Sequence, residues 1–515
     1  MEDRKTKRVR PDGGAAAAGG GDAGGEGYRV VPSEVRDKEV VPMMGAKDVA
    51  SWCATCKREH GRQRALSTVY AKSYGIVGGT PAYVGDGEEF RWVHQMRRTR
   101  KTLSANTMHS VAVDFEGHVW LWGISSGITG VPSAMKDGLG GGEIFMNNDD
   151  LQRECEYEDP FCIRHHMGGH DIVSVSAGLR HTLTLDNAGR VWAFGDNRHG
   201  QCSPSAVQYY DAPVQIAVIQ PGQPVEDSIP IVAIEASNTR SYLVDWQGNI
   251  WSCSFNRNPG EQWLQFDVLG VAMNMFSGHN PIFKPIDVVA ACDYDIFPHD
   301  RKPGSAPQLR TYGIFGIGSQ GEVYTARAPT LDAPSKTGDG GVLCISGASL
   351  SDRCTIATDF DENDDGSITT NIVLLNERTK FFMFNESETR ADIVGLGGGE
   401  ARKVSSNVIH TLVVDTDRRA WSWGRSWPDI SQRAFNRDDA WRLLGFGDLD
   451  DDAHEPLTPM KIPVEAFDGL GIVDVETAYN RSYAVDEEGH IWTWGCGHGL
   501  NGSPKKLDDI LMHTQ

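Results

Sequence analysis

Among 515 residues there is no run of 18 apolar positions, so nothing in the chain reads as a membrane-spanning helix. The N-terminus is charged and then rich in Gly and Ala, without the apolar core that a secretory signal needs. Ten cysteines are scattered without a framework spacing. Cys53 and Cys56 stand near His60, but the next cysteine is Cys155, which leaves a four-ligand zinc site incomplete. These absences predict an intracellular protein, nuclear or cytoplasmic, with reduced thiols and no membrane partner. No Ser-His-Asp arrangement, carboxylate pair or phosphate-binding loop is present either. The expectation is a non-enzyme, with no catalytic residue and no cofactor.

Basic charge is scarce over most of the chain. Residues 1–104 carry 19 Lys and Arg against 13 Asp and Glu, which leaves 30 basic and 57 acidic residues for the remainder. A body with a net charge of −27 repels phosphate backbones, so nucleic-acid binding by that body is not expected. The N-terminus has the opposite sign. Lys7, Arg8 and Arg10 form a cluster of the kind nuclear import receptors read, and residues 13–25 are a Gly/Ala linker.

What the chain does have is a repeat. Its clearest copy runs from Ala177 to Gly195: an alternating strand, an Asp-x-x-Gly turn, then a second alternating strand ending in Trp-x-Phe-Gly. That is one β-hairpin, whose turn calls for a positive φ at Gly. Counting on the aromatic after the turn gives seven copies, at Trp120, Trp192, Trp251, Tyr324, Phe382, Trp421 and Trp492. Six residues before each stands a turn starter: Asp114, Asp186, Asp245, Gly318, Asn376, Asp415 or Asp486. The spacings of 72, 59, 73, 58, 39 and 71 residues suit one four-stranded sheet plus a variable outer loop. The predicted fold is all-β, a seven-bladed β-propeller over residues 105–515, preceded by a disordered tail at 1–27. Residues 28–104 are less legible. Strand-like stretches from Val69 to Val84 and Glu89 to Val93 are expected to complete the last blade.

The pattern Asp-x-x-Gly-x-Val-Trp-x-(Trp/Phe)-Gly, preceded by a small-residue loop and His-(Ser/Thr), resembles the repeat of the regulator of chromosome condensation family over roughly residues 105–502. Such a resemblance implies the propeller fold. The family's best-known activity is nucleotide exchange on a Ran-type GTPase, using acidic loop residues. Here the corresponding loops, Gly178-Leu179-Arg180, Asn238-Thr239-Arg240 and Asn480-Arg481 among them, carry arginine instead of acid. Light-sensing members place Trp where this chain has Leu179, so photochemistry is not expected.

Arginine at the start of the inner hairpin strand is the most suggestive feature. Arg180, Arg240, Arg310, Arg353 and Arg481 are read as equivalent, which would put them on one circle around one face. Each either pairs locally with an acid or carbonyl of the next blade, or binds anionic groups of a protein partner. The repeat histidines His109, His181 and His410 are expected to be structural. A long fifth repeat ends in an acidic tip, where Asp361, Asn363 and Asp365 match half of a calcium loop; Ile372 falls where the completing Glu belongs, so no metal site is expected. The reading is therefore a propeller that docks a protein partner on an Arg-bearing face. A divergent Ran-type exchange factor and a salt-bridged homodimer are the alternatives.

Overall fold

The computed structural model describes residues 63–124 apart from 107–108, and 156–253 with short gaps. It further describes the strands between 266 and 393, position 396, and residues 401–406, 410–424, 442–446, 459–478, 481–495 and 502–512. Among these residues there are seven four-stranded antiparallel sheets and one two-stranded ribbon. In the second sheet the strands Ile172–Ala177, His181–Asp186, Val191–Asp196 and Tyr209–Ile216 lie side by side in chain order. The chain is a β-propeller, with as many four-stranded sheets as the sequence has repeats.

The Asp six residues before each aromatic explains why the repeat is legible. One carboxylate oxygen of Asp415 accepts the backbone N–H groups of Asp417 and Arg419, each at 2.9 Å. Its other oxygen takes the indole N–H of Trp421 at 2.8 Å. Asp114 and Asp486 repeat the same three bonds to Trp120 and Trp492, and Asp245 holds Trp251. The fourth residue of each turn has a left-handed backbone, φ +83° at Gly117 and +80° at Gly189; Arg418 adopts it at +63° without being glycine. The second sheet varies the theme: the Arg190 guanidinium takes the Asp186 carboxylate at 2.6 Å, and Trp192 stacks instead on His170. The anchoring indoles lie at the edge of the apolar layer. The second aromatic of the motif is deeper, with Trp122, Phe194 and Trp494 almost wholly buried.

Residues 63–99 contradict the strand expectation. They form two helices, α1 (Gln63–Ser73) and α2 (Glu89–Thr99). Leu66, Tyr70, Trp92, Val93 and Met96 are buried in one cluster with residues of the second and third sheets, so tertiary burial decides the local structure. The loop between the helices lies over the turn ends of the sheets: Val77 sits against Gly117, and Tyr83 against Gly189 and Trp246. After α2 the chain enters the first sheet at Leu103–Ala105. It adds nothing to the last sheet, whose four strands (Ile472–Thr477, Arg481–Asp486, His490–Gly495 and Lys505–Leu511) are all C-terminal.

The fifth sheet also corrects the reading of an insertion. Its first two strands are Ile356–Glu362 and Ile368–Leu375, paired antiparallel, and the acidic tip lies in sequence between them. Asp361 lies in the first of these strands, in register with Thr369, while Asn363 and Asp365 fall outside the described residues. Lys7, Arg8, Arg10, Cys53, Cys56 and His60 also fall outside them.

Neighbouring sheets are stitched by one register position on their inner strands. Ser104 accepts the backbone N–H of Ala177, Ser176 that of Ala236, and Ser405 that of Thr477, at 2.9–3.1 Å. Glu476 stands at the same position of the last sheet and accepts Ala105 N–H of the first. The first and last sheets are thereby joined like any other pair. Tyr483 reinforces this junction: its hydroxyl accepts from Ser110 Oγ at 2.9 Å and from Trp122 Nε1 at 3.2 Å. Leu103, Trp122, Tyr483, Ile510 and Met512 bury the seam.

Both kinds of bond can be tested by unfolding. Asp415→Ala strips four donors of their acceptor, the Arg419 guanidinium included, and is expected to cost about 3–4 kcal/mol, with Asp415→Asn costing clearly less, as urea unfolding would measure. Tyr483→Phe leaves the Ser110 hydroxyl and the Trp122 indole without their acceptor, an expected loss of about 1–3 kcal/mol; a silent change would remove Tyr483 from the closure.

Candidate functional site

The end of the sheets opposite the Asp turns is where the sequence places its arginines and histidines. Cα register fixes their true equivalence. His109, His181, His410 and Arg481 lie opposite the motif glycines Gly123, Gly195, Gly424 and Gly495 respectively. Ser241 pairs with Cys253, two residues past Trp251, as Thr182 pairs with Phe194, two past Trp192. Arg240 therefore occupies the histidine position too, and Arg180 stands one residue before it. Arg310 pairs with Tyr294 in the two-stranded ribbon, three positions short of the equivalent site. Arg353 precedes the first strand of its sheet and lies outside the described residues. The five arginines do not share one circle. A one-residue difference in loop length, and a fifth repeat whose first strand lies between Arg353 and the hairpin, account for the misalignment.

The histidines form staples between sheets. His109 Nε2 lies 2.8 Å from Thr182 Oγ1, His181 Nε2 is 3.1 Å from Ser241 Oγ, and His410 Nε2 is 2.6 Å from Ser482 Oγ. The serine hydroxyls in turn donate to the carbonyls of Gln201 and Leu443. Their protons are thus committed, and the imidazole Nε2–H must be the donor in those pairs. Sequence reasoning expected structural histidines bonded to backbone; the partner is instead a hydroxyl on the next sheet. Gly178 is required beneath His181, because a Cβ there would collide with the ring and with the Ser237 carbonyl. Burial holds His109 and His410 down to about 3, so both are neutral in the fold.

Of the remaining arginines, Arg481 is buried at 7% exposure, whereas Arg180 and Arg240 are half-buried. Arg180 O accepts the Asp196 N–H at 2.8 Å, and Arg198 grips Asp196 through Nε and Nη2. Ser241, next to Arg240, donates to Gln201 O at 2.6 Å. Arg180, Arg198 and Arg240 are thus gathered around the single loop 196–201.

A second polar cluster lines the inner strands near the end of α2. Lys101 pairs with Glu235, and Lys403 with Asp474. Glu476 accepts from Ala105 N–H and Ser405 Oγ. Burial pushes its carboxyl up to about 7, against Lys101 and Lys403, which favour the charged form. Burial likewise lowers Arg100 to about 10, opposed by Asp474. Among the described residues no group of three or more His, Cys, Asp or Glu is arranged to hold a metal ion, and no helix is long and apolar enough to cross a membrane.

Sheet order and staples together make a β-propeller. The model of the Regulator of chromosome condensation (RCC1) repeat matches residues 172–201, the second repeat. A Protein RCC2 homolog of Danio rerio is 23% identical over 405 residues, covering 78% of this chain and 54% of that protein. The guanine nucleotide exchange factor SRM1 of Saccharomyces cerevisiae is 30% identical over 120 residues, 20% of this chain and 24% of that one. Among solved structures, human WBSCR16 is similar at a TM-score of 0.49 and 13% identity, covering 76% of this chain and 93% of the other. These likenesses support a divergent RCC1-like repeat protein. It spans about half the length of the RCC2 relatives it matches.

The two buried clusters oppose each other in pH. Below about 6.5 the unfolded histidines take up protons that folded His109 and His410 refuse down to about 3, so stability falls as pH drops through that window. Folded Glu476 keeps its proton up to about 7 whereas the unfolded group loses it above 4.5, so its contribution is lost as pH rises between those values. His410→Gln is expected to flatten the acid-side decline by up to about 1.4 kcal/mol per pH unit, and Glu476→Gln to remove the opposing slope, in urea titrations from pH 4 to 8. Parallel profiles for variant and parent would contradict the assignment.

Proposed function

We propose that this protein is a non-enzymatic interaction platform that docks a protein partner on the rim bearing Arg180 and Arg240. One observation carries the reading. The regular polar side chains of the repeat, the Asp clamps and His staples, are spent within the scaffold, while α1, α2 and their connecting loop cover the turn ends of the second and third sheets. Arg180 and Arg240 stand at the other end of those same sheets, half-exposed, on a body of strongly negative net charge. A guanidinium focus on such a body selects compact anionic groups on a protein surface.

A second reading, exchange on a Ran-type GTPase, is favoured by the likeness to SRM1, whose name gives guanine nucleotide exchange. Against it stand the arginines in the loops where the family's exchange site has acids.

Capture from a nuclear and cytoplasmic extract with immobilised full-length protein separates these. The double change Arg180→Glu with Arg240→Glu is expected to abolish a captured partner, while Arg91→Glu on α2, at the turn end, leaves it. Release of labelled GDP from a Ran-type GTPase is expected to be unaccelerated by catalytic amounts of the protein. Accelerated release would replace the platform by the exchange factor. Equal capture by both variants would move the docking surface elsewhere.

A further inference from the structure

In three sheets the register position opposite the motif glycine holds a histidine, and each reaches a Ser or Thr hydroxyl on the following sheet. In the third sheet that position is Arg240. The matching register position of the fourth sheet is Ile314, which has no hydroxyl to offer. The staple cannot form there, and the position is released from its structural task. The seventh sheet makes the same replacement differently. Arg481 is buried, and it is Tyr483 whose hydroxyl accepts from Ser110.

Among the described residues Arg240 is held by its backbone, through Ser237, whose hydroxyl exchanges hydrogen bonds with the Arg240 N–H and carbonyl. Its Nε is buried with no hydrogen-bond partner, and among the described residues no carboxylate pairs with its guanidinium. The residue is half-buried, so the terminal amino groups are left as its reachable donors. Beside it, the loop 196–201 presents Arg198, whose side chain is 43% exposed. The one acid there, Asp196, is buried and already engaged by Arg198.

We propose that Arg240 is the receptor for a side-chain carboxylate of the docked partner. The proposal rests on the platform reading above and names its chemistry. A planar carboxylate fits the end-on fork of a guanidinium as a bidentate acceptor. A phosphate-rich polymer brings far more charge against the acidic body and meets only this small cationic focus. The occupant is therefore a short protein segment with one or two Asp or Glu among uncharged residues.

The probe is a fluorescent twelve-residue peptide with two central glutamates in an uncharged sequence, read by anisotropy with the full-length chain. The wild type is expected to bind it in a salt-sensitive manner. Arg240→Ala should weaken binding at least about tenfold, and Arg240→Lys by less, because the charge remains while the fork is lost. Neither change should shift the melting temperature by more than a degree or two, since among the described residues no carboxylate pairs with the Arg240 guanidinium. No binding by wild type, or equal binding by wild type and Arg240→Ala, overturns the proposal. Tighter binding of a phosphoserine version of the peptide, or of duplex DNA, overturns the carboxylate assignment. If the peptide fails while capture still depends on Arg180 and Arg240, only this chemistry falls; if capture is insensitive too, the platform reading falls with it.

Discussion

Adjacent sheets of this protein approach one another closely enough for a short side chain on one inner strand to accept a backbone N–H from the next. Ser104, Ser176 and Ser405 do so from one register position. A serine reaches only a few ångströms, so each bond sets the distance and tilt between two sheets. Where the last sheet meets the first, the longer Glu476 performs the same task at 3.4 Å. That exchange closes the structure but brings a carboxyl into a poorly solvated place, beside Asp474 and between Lys101 and Lys403. The ionic cluster of the inner strands is thus a consequence of how the first and last sheets are joined.

The same spacing governs the other end of the sheets. His-to-hydroxyl staples need a donor on one sheet and a Ser or Thr on the next at a fixed height, and the hydroxyl must have a carbonyl to receive its own proton. Histidine and hydroxyl meet in this way between the first and second, second and third, and sixth and seventh sheets. They do not meet between the third and fourth, where Ile314 faces the requirement, or between the seventh and first, where Arg481 takes the histidine position. Interruptions of a structural pattern are where a scaffold can carry something else without losing its fold.

Much of the fold was legible because one residue, the turn Asp, serves three local bonds within six positions of sequence. Asp, Gly and Trp at fixed offsets are forced by that geometry, so the repeats read clearly wherever the clamp is intact. Legibility failed where burial, not local pattern, decides structure. Phe90, Trp92, Val93 and Met96 look strand-like one by one, yet they face a common apolar cluster from α2. It failed again at the fifth sheet, where Asn376 and Phe382 give the turn but nothing local shows that a whole strand lies between Arg353 and the hairpin.

The arginine pattern shows how such errors carry into function. Aligning each arginine on the small residue or histidine next to it put Arg180 and Arg240 in one class. Hydrogen-bond register separates them by one position, and in a strand one position reverses the face. Arg240 stands where the second sheet places the buried His181, and Arg180 stands outside that position beside Asp196. Two arginines with different backbone origins nevertheless meet around the loop 196–201, because Asp196 bonds the carbonyl of one and Gln201 the serine beside the other. The side chains gathered at this end of the sheets therefore depend on the loops that connect neighbouring strands and on which bonds between sheets are kept. The charge on the rim is local for the same reason. Among the described residues it gathers at one junction between sheets.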